Sequence, residues 1–352
     1  MKTAVVILNW NGIELLKKFL PGVVSSCQGI ANVVVADNAS SDNSLEWIKS
    51  NFPEVRILVN SINEGFAKGY NTALKQLDEE YFLLLNSDVA VSSGWLEPLV
   101  NFLDNNPKVA VCQPKIRWYK NRERFEYAGA AGGFIDAYGY PFCRGRIFDS
   151  VEADKNQYNE VIPVFWASGA CMLVRSKIFN EVKGFDPVFF AHMEEIDLCW
   201  RIHDAGHEIY CVPNSEVYHI GGATLPKNNP GKTLLNFRNN LSMLYKNLPQ
   251  NRLYPVLFIR LILDGVAGFK FLCGGSAGDF IAVIKAHFQF YKLAFTGKLM
   301  RNKNVIHTEN NTIYKGLIVW DYYILKKKKF SDLNKDFRQK LSGSNPVKNS
   351  IL

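Results

Sequence analysis

Four short apolar runs, three of them uninterrupted and one broken only by Arg56, each stop on polar residues and set the strongest limit on what this chain folds into. Ala4–Leu8 stops at Asn9, Val33–Ala36 at Asp37-Asn38, Val55–Val59 at Asn60, and Tyr81–Leu85 at Asn86-Ser87-Asp88. A short apolar run without alternation reads as a strand buried on both faces. Between the first two, Ile13, Leu16, Phe19 and Leu20 recur at helical spacing, and after the second Ser40 or Ser41 caps a helix through Leu45, Trp47 and Ile48. Val109–Val111 adds a fifth run. Repeated strand–helix units predict an α/β domain, with a mostly parallel sheet flanked by helices. Ligands of such sheets bind at the carboxyl ends of the strands. Position alone therefore marks the polar stops as the candidate site.

Residues 115–165 read as irregular and rich in glycine and tyrosine. Beyond them Cys171–Arg175 reads as a strand, Met193–Ala205 as a helix, and Ile209–Val212 and Val217–Ile220 as two short strands. Long helical patterns begin near Lys232, which divides the chain into a domain over 1–230 and a helical region over 231–352. Leu253–Phe271 is apolar but interrupted by Arg260, Asp264 and Lys270. A spanning helix needs about 20 mostly apolar residues, and charges near its middle are costly. The stretch therefore reads as an in-plane interfacial helix or as a core helix of a terminal bundle.

The formal charge of +8 is concentrated late, in Lys326–Lys329 with Lys298, Arg301 and Lys303 upstream. Such charge suits an anionic membrane surface or a solvated tail; nucleic acid is not expected as a partner. The seven cysteines are scattered without a C-x-x-C pair, which argues against a disulfide framework or a zinc knuckle. A reducing compartment is expected, the cytoplasm, with or without peripheral contact at the inner membrane. The Ala4–Leu8 run is too short for a signal peptide.

Four segments carry candidate chemistry. Asp88 in Asn86-Ser87-Asp88 can hold Mg²⁺ or Mn²⁺, hard ions that prefer oxygen; alone, the triplet reads more readily as a turn. Asp37 and Asn38 can bond a ribose or base, or form an Asx turn. In Asn63–Asn71, Gly65 allows close backbone approach and the helix start favours a phosphate. Glu194, Glu195 and Asp197 crowd the first turn of a helix, where the helix dipole favours negative charge. Asp197 and Arg201 are spaced for an ion pair, whereas Glu195 faces elsewhere without a local cation. A free carboxylate beside a cleft can act as a general base. His219 ends a short strand before Gly221-Gly222.

Together these segments resemble family 2 glycosyltransferases of the GT-A fold, especially a bacterial rhamnosyltransferase-like group. Asn9-Trp10-Asn11-Gly12 is similar to that group's first strand end, and Asp37-Asn38-Ala39-Ser40 to its D-N-x-S motif. Asn63–Asn71 is similar to N-x-G-F-A-x-G-x-N, and Asn86-Ser87-Asp88 to D-x-D or N-x-D. Phe185-Asp186 with Glu194–Arg201 is similar to G-F-D…E-D-x-D-L-x-x-R, except that Glu194-Glu195 replaces the usual E-D. The likeness covers about residues 3–240. Processive synthases carry Q-x-x-R-W, which this chain lacks, so transfer of a single sugar is implied.

The resemblance implies an inverting displacement, with bacterial surface polysaccharide biosynthesis as its setting. Asp88 and His219 would hold the divalent cation, and Glu195 would serve as base beside Glu194 and Asp197. Asn9, Asp37, Asn38, Asn63, Gly65, Phe66, Asn71, Asn86 and Ser87 would seat a dTDP- or UDP-sugar. Trp166, Ser168 and Gly169 would border a glycan or lipid-linked acceptor, with Trp166 open equally to a place in the core. Oligomeric state stays open, a dimer included. A sugar-nucleotide pyrophosphorylase and a non-catalytic nucleotide-sugar-binding relative are the alternatives.

Overall fold

The computed structural model describes residues 1–221, 229–302 and 310–343; Gly222 and Lys303 lie outside them. The first six strands are β1 (Thr3–Asn9), β2 (Asn32–Asp37), β3 (Arg56–Val59), β4 (Tyr81–Asn86), β5 (Val89–Val91) and β6 (Val109–Trp118). The short strands β7 (Asn121–Phe125), β8 (Gly133–Asp136), β9 (Pro141–Cys143), β10 (Arg146–Ile147), β11 (Ser150–Val151) and β12 (Ile162–Pro163) follow. Last come β13 (Cys171–Arg175), β14 (Glu208–His219) and β15 (Ile313–Tyr314). The main sheet runs β12-β14-β6-β13-β4-β1-β2-β3.

Only its β4-β1-β2-β3 half is wholly parallel. β13 enters antiparallel between β4 and β6, which makes the whole a mixed sheet. The apolar runs behave as their composition demands. Ala4, Val6, Phe82 and Leu84 point into one core, and Val5, Ile7, Leu83 and Leu85 into the other. Helices α1 (Ile13–Cys27), α2 (Ser44–Asn51), α3 (Gly65–Leu74) and α4 (Glu97–Asn105) are followed by α5 (Ser176–Glu181) and α6 (Glu194–Asp204). Leu16 and Leu20 of α1 and Leu99 of α4 cover the second face, whereas Tyr70 of α3, Phe179 of α5 and Ile196 of α6 cover the first.

Two expectations are corrected. The strands expected at 209–212 and 217–220 are one continuous β14, with a register shift between Val212 and Glu216. Pro213, which lacks an N–H, falls in that irregular stretch. The region expected to be irregular forms β7 and a second sheet, β11-β10-β9-β8-β15.

The helical pattern does begin where expected, with α7 (Pro230–Asn247), α8 (Gln250–Cys273), α9 (Ala277–Phe295), α10 (Ile318–Tyr323) and α11 (Lys335–Gly343). Leu241, Phe290 and Leu299 form a small cluster among these elements, but most of the region's buried residues pack elsewhere. Met243, Leu244, Tyr314 and Phe337 join the same cluster as Val6 and Phe82. β15 pairs with β8, so the late chain completes the second sheet.

A buried ion cluster ties α6 to α7. Asp197 is fully buried and accepts from Arg201 Nε at 2.8 Å, Lys246 Nζ at 2.9 Å and Asn247 Nδ2 at 2.8 Å. The Arg201 pair is the one its spacing predicts. Burial pushes the Asp197 carboxyl up, but Arg201 and Lys246 outweigh it and hold the group below the usual carboxylate range. With both its oxygens engaged in this way, Asp197 supports the fold. Asp197→Ala is expected to cost about 3 kcal/mol or more, because the buried cations lose their partner. A lower denaturant midpoint at unchanged slope would register this. Because the folded-state pKa is depressed, the wild-type contribution is full at neutral pH and is lost as pH falls through the acid range. The variant's stability should therefore fall less steeply on acidification.

Candidate active site

The polar stops gather along the carboxyl edge of the parallel half-sheet. Asn9 Nδ2 lies 3.0 Å from Asp37 Oδ1, 3.1 Å from Ser40 Oγ and 3.0 Å from Ser44 Oγ. Asp37 is fully buried, and its Oδ2 accepts from Ser40 N at 2.9 Å. Asn38 Nδ2 donates to Asn63 Oδ1 at 2.9 Å, while Asn38 Oδ1 accepts from Asn60 Nδ2 at 3.1 Å. Asn9, Asp37 and Asn38 thus bind the loops together from beneath. Asp42 adds a contact that sequence reading missed: its Oδ2 accepts from Ile13 N at 3.0 Å and caps α1, whose own N-cap Gly12 has no side chain.

The loop before α6 is pressed against the start of α3. Gly65 has φ +73°, and a Cβ there would meet the Phe190 ring at 2.5 Å. Phe66 N donates to Phe190 O at 2.8 Å. The Phe66 ring stands 4.8 Å from Tyr70 and 5.8 Å from Phe185. Asn71, expected to seat the nucleotide, instead spends both ends of its amide on the Phe185 backbone, at 2.7 and 3.0 Å. Asn239 Nδ2 of α7 donates to the carbonyls of Phe189, Ala191 and His192 at 2.8, 2.9 and 2.8 Å. That clamp spans about fifty residues of chain and has no local sequence signal.

This loop delivers Glu194 and Glu195. Neither is bonded to Arg201, which serves Asp197 and the carbonyls of Val182 and Gly184. Oε2 of each glutamate is buried without a hydrogen-bond partner. Burial, and then the Glu195 charge, drive the Glu194 carboxyl well above its ordinary value. Burial pushes Glu195 up to about 7. Glu195 Cβ lies 3.9 Å from where a Gly169 Cβ would stand, and Phe66 Cζ lies 3.2 Å from the same point. One residue further, Ala170 O accepts from Asn86 N at 3.0 Å. The carboxylate pair and the Asn86-Ser87-Asp88 stop therefore meet across this short stretch of backbone.

Asp88 and His219 come together although 131 positions separate them in the chain, because β5 pairs with the end of β14. His219 Nε2 stands 3.0 Å from Asp88 Oδ1, and Nδ1 stands 3.4 Å from Glu126 Oε1. Burial lowers the imidazole's proton affinity, but Asp88 and Glu126 outweigh it and lift the pKa to about 10. At that value the imidazole carries a second proton and is itself the cation between the two carboxylates; as a metal ligand it would have to be neutral. Two ligands each about 2.1 Å from one octahedral ion lie about 3 Å apart, which the Asp88–His219 spacing matches. Glu126 stands where a carboxylate orients a metal-binding histidine. It lies in the stretch read as irregular, so sequence reading missed it. Among the described residues no group of three His, Cys, Asp or Glu side chains is placed to hold a metal ion, so an ion held by Asp88 and His219 would need its other ligands from outside them.

The expected acceptor side is mostly interior. Trp166 is buried, donates from Nε1 to Phe134 O at 2.9 Å, and packs on Gly133, where a Cβ would meet its ring at 2.1 Å. No open face is left for a sugar, so the core reading of Trp166 holds. Ser168 is buried, with its N–H on Gln113 Oε1 at 2.9 Å. Gly169 alone borders the carboxylate pair. Trp10 and Phe190, which sequence reading did not select, are about half exposed at 51% and 50%.

Comparison with known proteins identifies the family and the fold. The model of "Glycosyl transferase family 2" matches residues 4–183, just over half of the 352. The chain is 28% identical over 233 residues to N-acetylglucosaminyl-diphospho-decaprenol L-rhamnosyltransferase of Mycobacterium tuberculosis, covering 61% of this chain and 75% of that protein. It is 22% identical to rhamnosyltransferase WbbL of Escherichia coli, covering 61% and 82%. Among solved structures it is similar to GalNAc-T7 with UDP, GalNAc and Mn²⁺, at TM-score 0.56 and 19% identity, covering 69% of this chain and 47% of that one. The mannosyltransferase PcManGT of Pyrobaculum calidifontis in complex with GDP-Man and Mn²⁺ gives TM-score 0.51 at 14% identity, covering 84% and 79%. The fold is GT-A.

The Gly65–Phe190 contact can be tested directly. Gly65→Ala is expected to destabilise the protein by about 1–2 kcal/mol from the left-handed backbone alone, plus the cost of displacing Phe190. Thermal unfolding measures the sum, and a melting temperature equal to wild type would contradict the close packing.

Proposed function

The chain belongs to glycosyl transferase family 2 and is a glycosyltransferase; we propose that it moves one sugar, with inversion, from a nucleoside-diphosphate sugar to an acceptor hydroxyl. The carrying observation is the Glu194-Glu195 pair, the first buried and the second half-buried, each with Oε2 buried and without a hydrogen-bond partner. Glu195 is the base: its side chain starts beside Gly169, at the strand-end cleft, and its raised pKa suits proton transfer near neutral pH. As the acceptor oxygen bonds to the anomeric carbon, Glu195 takes the hydroxyl proton. The bond from that carbon to the diphosphate oxygen breaks with both electrons, and the nucleoside diphosphate leaves.

Asp88 and His219 would hold a divalent cation, with Glu126 orienting the imidazole. Such an ion, when bound, neutralises charge on the diphosphate. The donor is a dTDP- or UDP-sugar seated over the strand ends, where Trp10 offers an exposed ring for stacking on the base. The rhamnosyltransferase relative acts on a decaprenol-linked substrate by its name, and this favours a lipid-linked acceptor and a role in surface glycan assembly. Family membership argues against the nucleotidyltransferase alternative.

Glu195→Gln is expected to lower turnover about 100-fold or more, with donor affinity little changed. Glu194→Gln should do less, and the reverse order would move the base to Glu194. In the wild type, kcat/KM should rise as pH climbs through about 7, because the base must lose its proton, and the pair titrates as a unit. In a separate measurement, calorimetry with a nucleoside diphosphate and Mn²⁺ should show metal-dependent binding that Asp88→Ala abolishes. Equal affinity in that variant would remove Asp88 from the metal site.

A further inference from the structure

The hairpin of α8 and α9 is built inside out. Its central charges point inward: Arg260 is 2% exposed and stacks 4.0 Å over the Tyr140 ring, and its Nε donates to the fully buried Asp264 at 3.2 Å. His287 Nε2 completes the group, 3.2 Å from Asp264. Two of the three interruptions in the apolar run, Arg260 and Asp264, therefore line the interior, whereas Lys270 is exposed at the end of α8. On α8, Phe258, Ile262, Val266 and Phe269 are exposed and recur at helical spacing along one stripe. On α9, Ile281, Phe288 and Phe295 do the same, the last two 71% and 88% exposed. A groove of about 280 Å³, lined by Leu261, Gly265, Ile284 and Phe288 among others, joins the two stripes into one surface.

Charge around this surface selects its occupant. From Gln250 to Phe295 the only acidic residues are Asp264 and Asp279, and both are buried. The exposed charges of α8 and α9 are basic, Lys270, Lys285 and Lys292 among them. Lys270 Nζ donates to Tyr323 OH at 3.2 Å, which brings α10, with exposed Trp320 and Ile324, to the same edge. The lysine run that follows adds less: Lys327 is paired with Asp321 at 2.7 Å, Lys328 lies 3.3 Å over the Tyr322 ring, and Lys329 lines a separate pocket with Glu152 and Glu160. A second copy would set this basic rim against itself. A bilayer with anionic headgroups matches both the apolar face and its rim, and tryptophan and tyrosine favour that interface.

We propose that the outer face of α8 and α9 docks the protein in the plane of an anionic bilayer. Among the described residues no helix is long and apolar enough to cross a membrane, so attachment is to one leaflet. The face lies one helix behind the reacting groups. Asn240 of α7 accepts from Arg260 and contacts Met193 Sδ at 4.0 Å, next to Glu194. Docking would present a lipid-linked acceptor to the carboxylate pair; this purpose rests on the proposed function, while the docking itself does not.

The test is co-sedimentation of the full chain with phosphatidylcholine vesicles, with and without phosphatidylglycerol. Wild type should pellet with the anionic vesicles and be released as salt rises. Phe258→Glu with Phe288→Glu should lower binding about tenfold or more, while melting temperature and transfer to a water-soluble acceptor stay unchanged. Should that pair fail to fold, Lys270, Lys285 and Lys292 changed together to Gln should still weaken binding to anionic vesicles alone. Equal recovery in the supernatant with both vesicle types at low salt overturns the proposal. So does a dimer in light scattering that the two glutamates dissociate while no vesicle binding is seen. Vesicle binding without sugar transfer would refute the functional reading and leave the docking standing.

Discussion

One side-chain amide, that of Asn239, fixes the loop on which the site depends. Three non-glycine residues in that loop, Phe190, His192 and Met193, hold positive φ values of 59°, 70° and 72°. Each left-handed residue costs about 1–2 kcal/mol, so this conformation would not persist on local preference. Asn239 meets three of the loop's carbonyls, each net hydrogen bond contributing about 1 kcal/mol. The Phe190 carbonyl caps α3, and the Phe190 ring fills the space that Gly65 leaves open. Strain, clamp and missing side chain are three parts of one device, and it sets where Glu194 and Glu195 begin.

The device explains why the late helices are not an appendage. Lys246, in the same helix as Asn239, bridges Asp186 at 2.6 Å and Asp197 at 2.9 Å, on either side of the strained loop. Asn240 passes contact outward to Arg260, and Arg301 holds the end of α7 through Tyr245 O and Leu248 O, both at 2.7 Å. A chain divided at 230 would lose the clamp and the Lys246 and Asn247 side of the ion cluster. The boundary seen in the sequence is a change of secondary structure, with the core continuous across it.

What the sequence made legible is what short-range pattern encodes. Unbroken apolar runs specify strands buried on both faces, and β1 and β4 alternate between two cores as that requires. The Asp197–Arg201 pair is written in helical spacing, but Lys246 and Asn247 reach Asp197 from about fifty residues away. The second sheet escaped notice because strands of two to four residues, punctuated by glycine, carry no period. The direction of the charges on α8 was equally hidden. Helical spacing separates two faces without saying which is inside, and the answer lies with Tyr140, Asn240 and His287.

The electrostatics of the site follow from where its cations have gone. Arg201 and Lys246, the bases nearest α6, are committed to Asp197 and Asp186. Glu194 and Glu195 are consequently left to burial and to each other. Two carboxyls so placed resist ionising together, which keeps a proton near the pair at neutral pH and lets one member accept another from a substrate. Asp88 and His219 belong to a separate arrangement, set by the pairing of β5 with the end of β14 and closed by Glu126. The commitment of both bases to Asp197 therefore serves the fold and, by withholding them, shapes how the neighbouring carboxyl pair titrates.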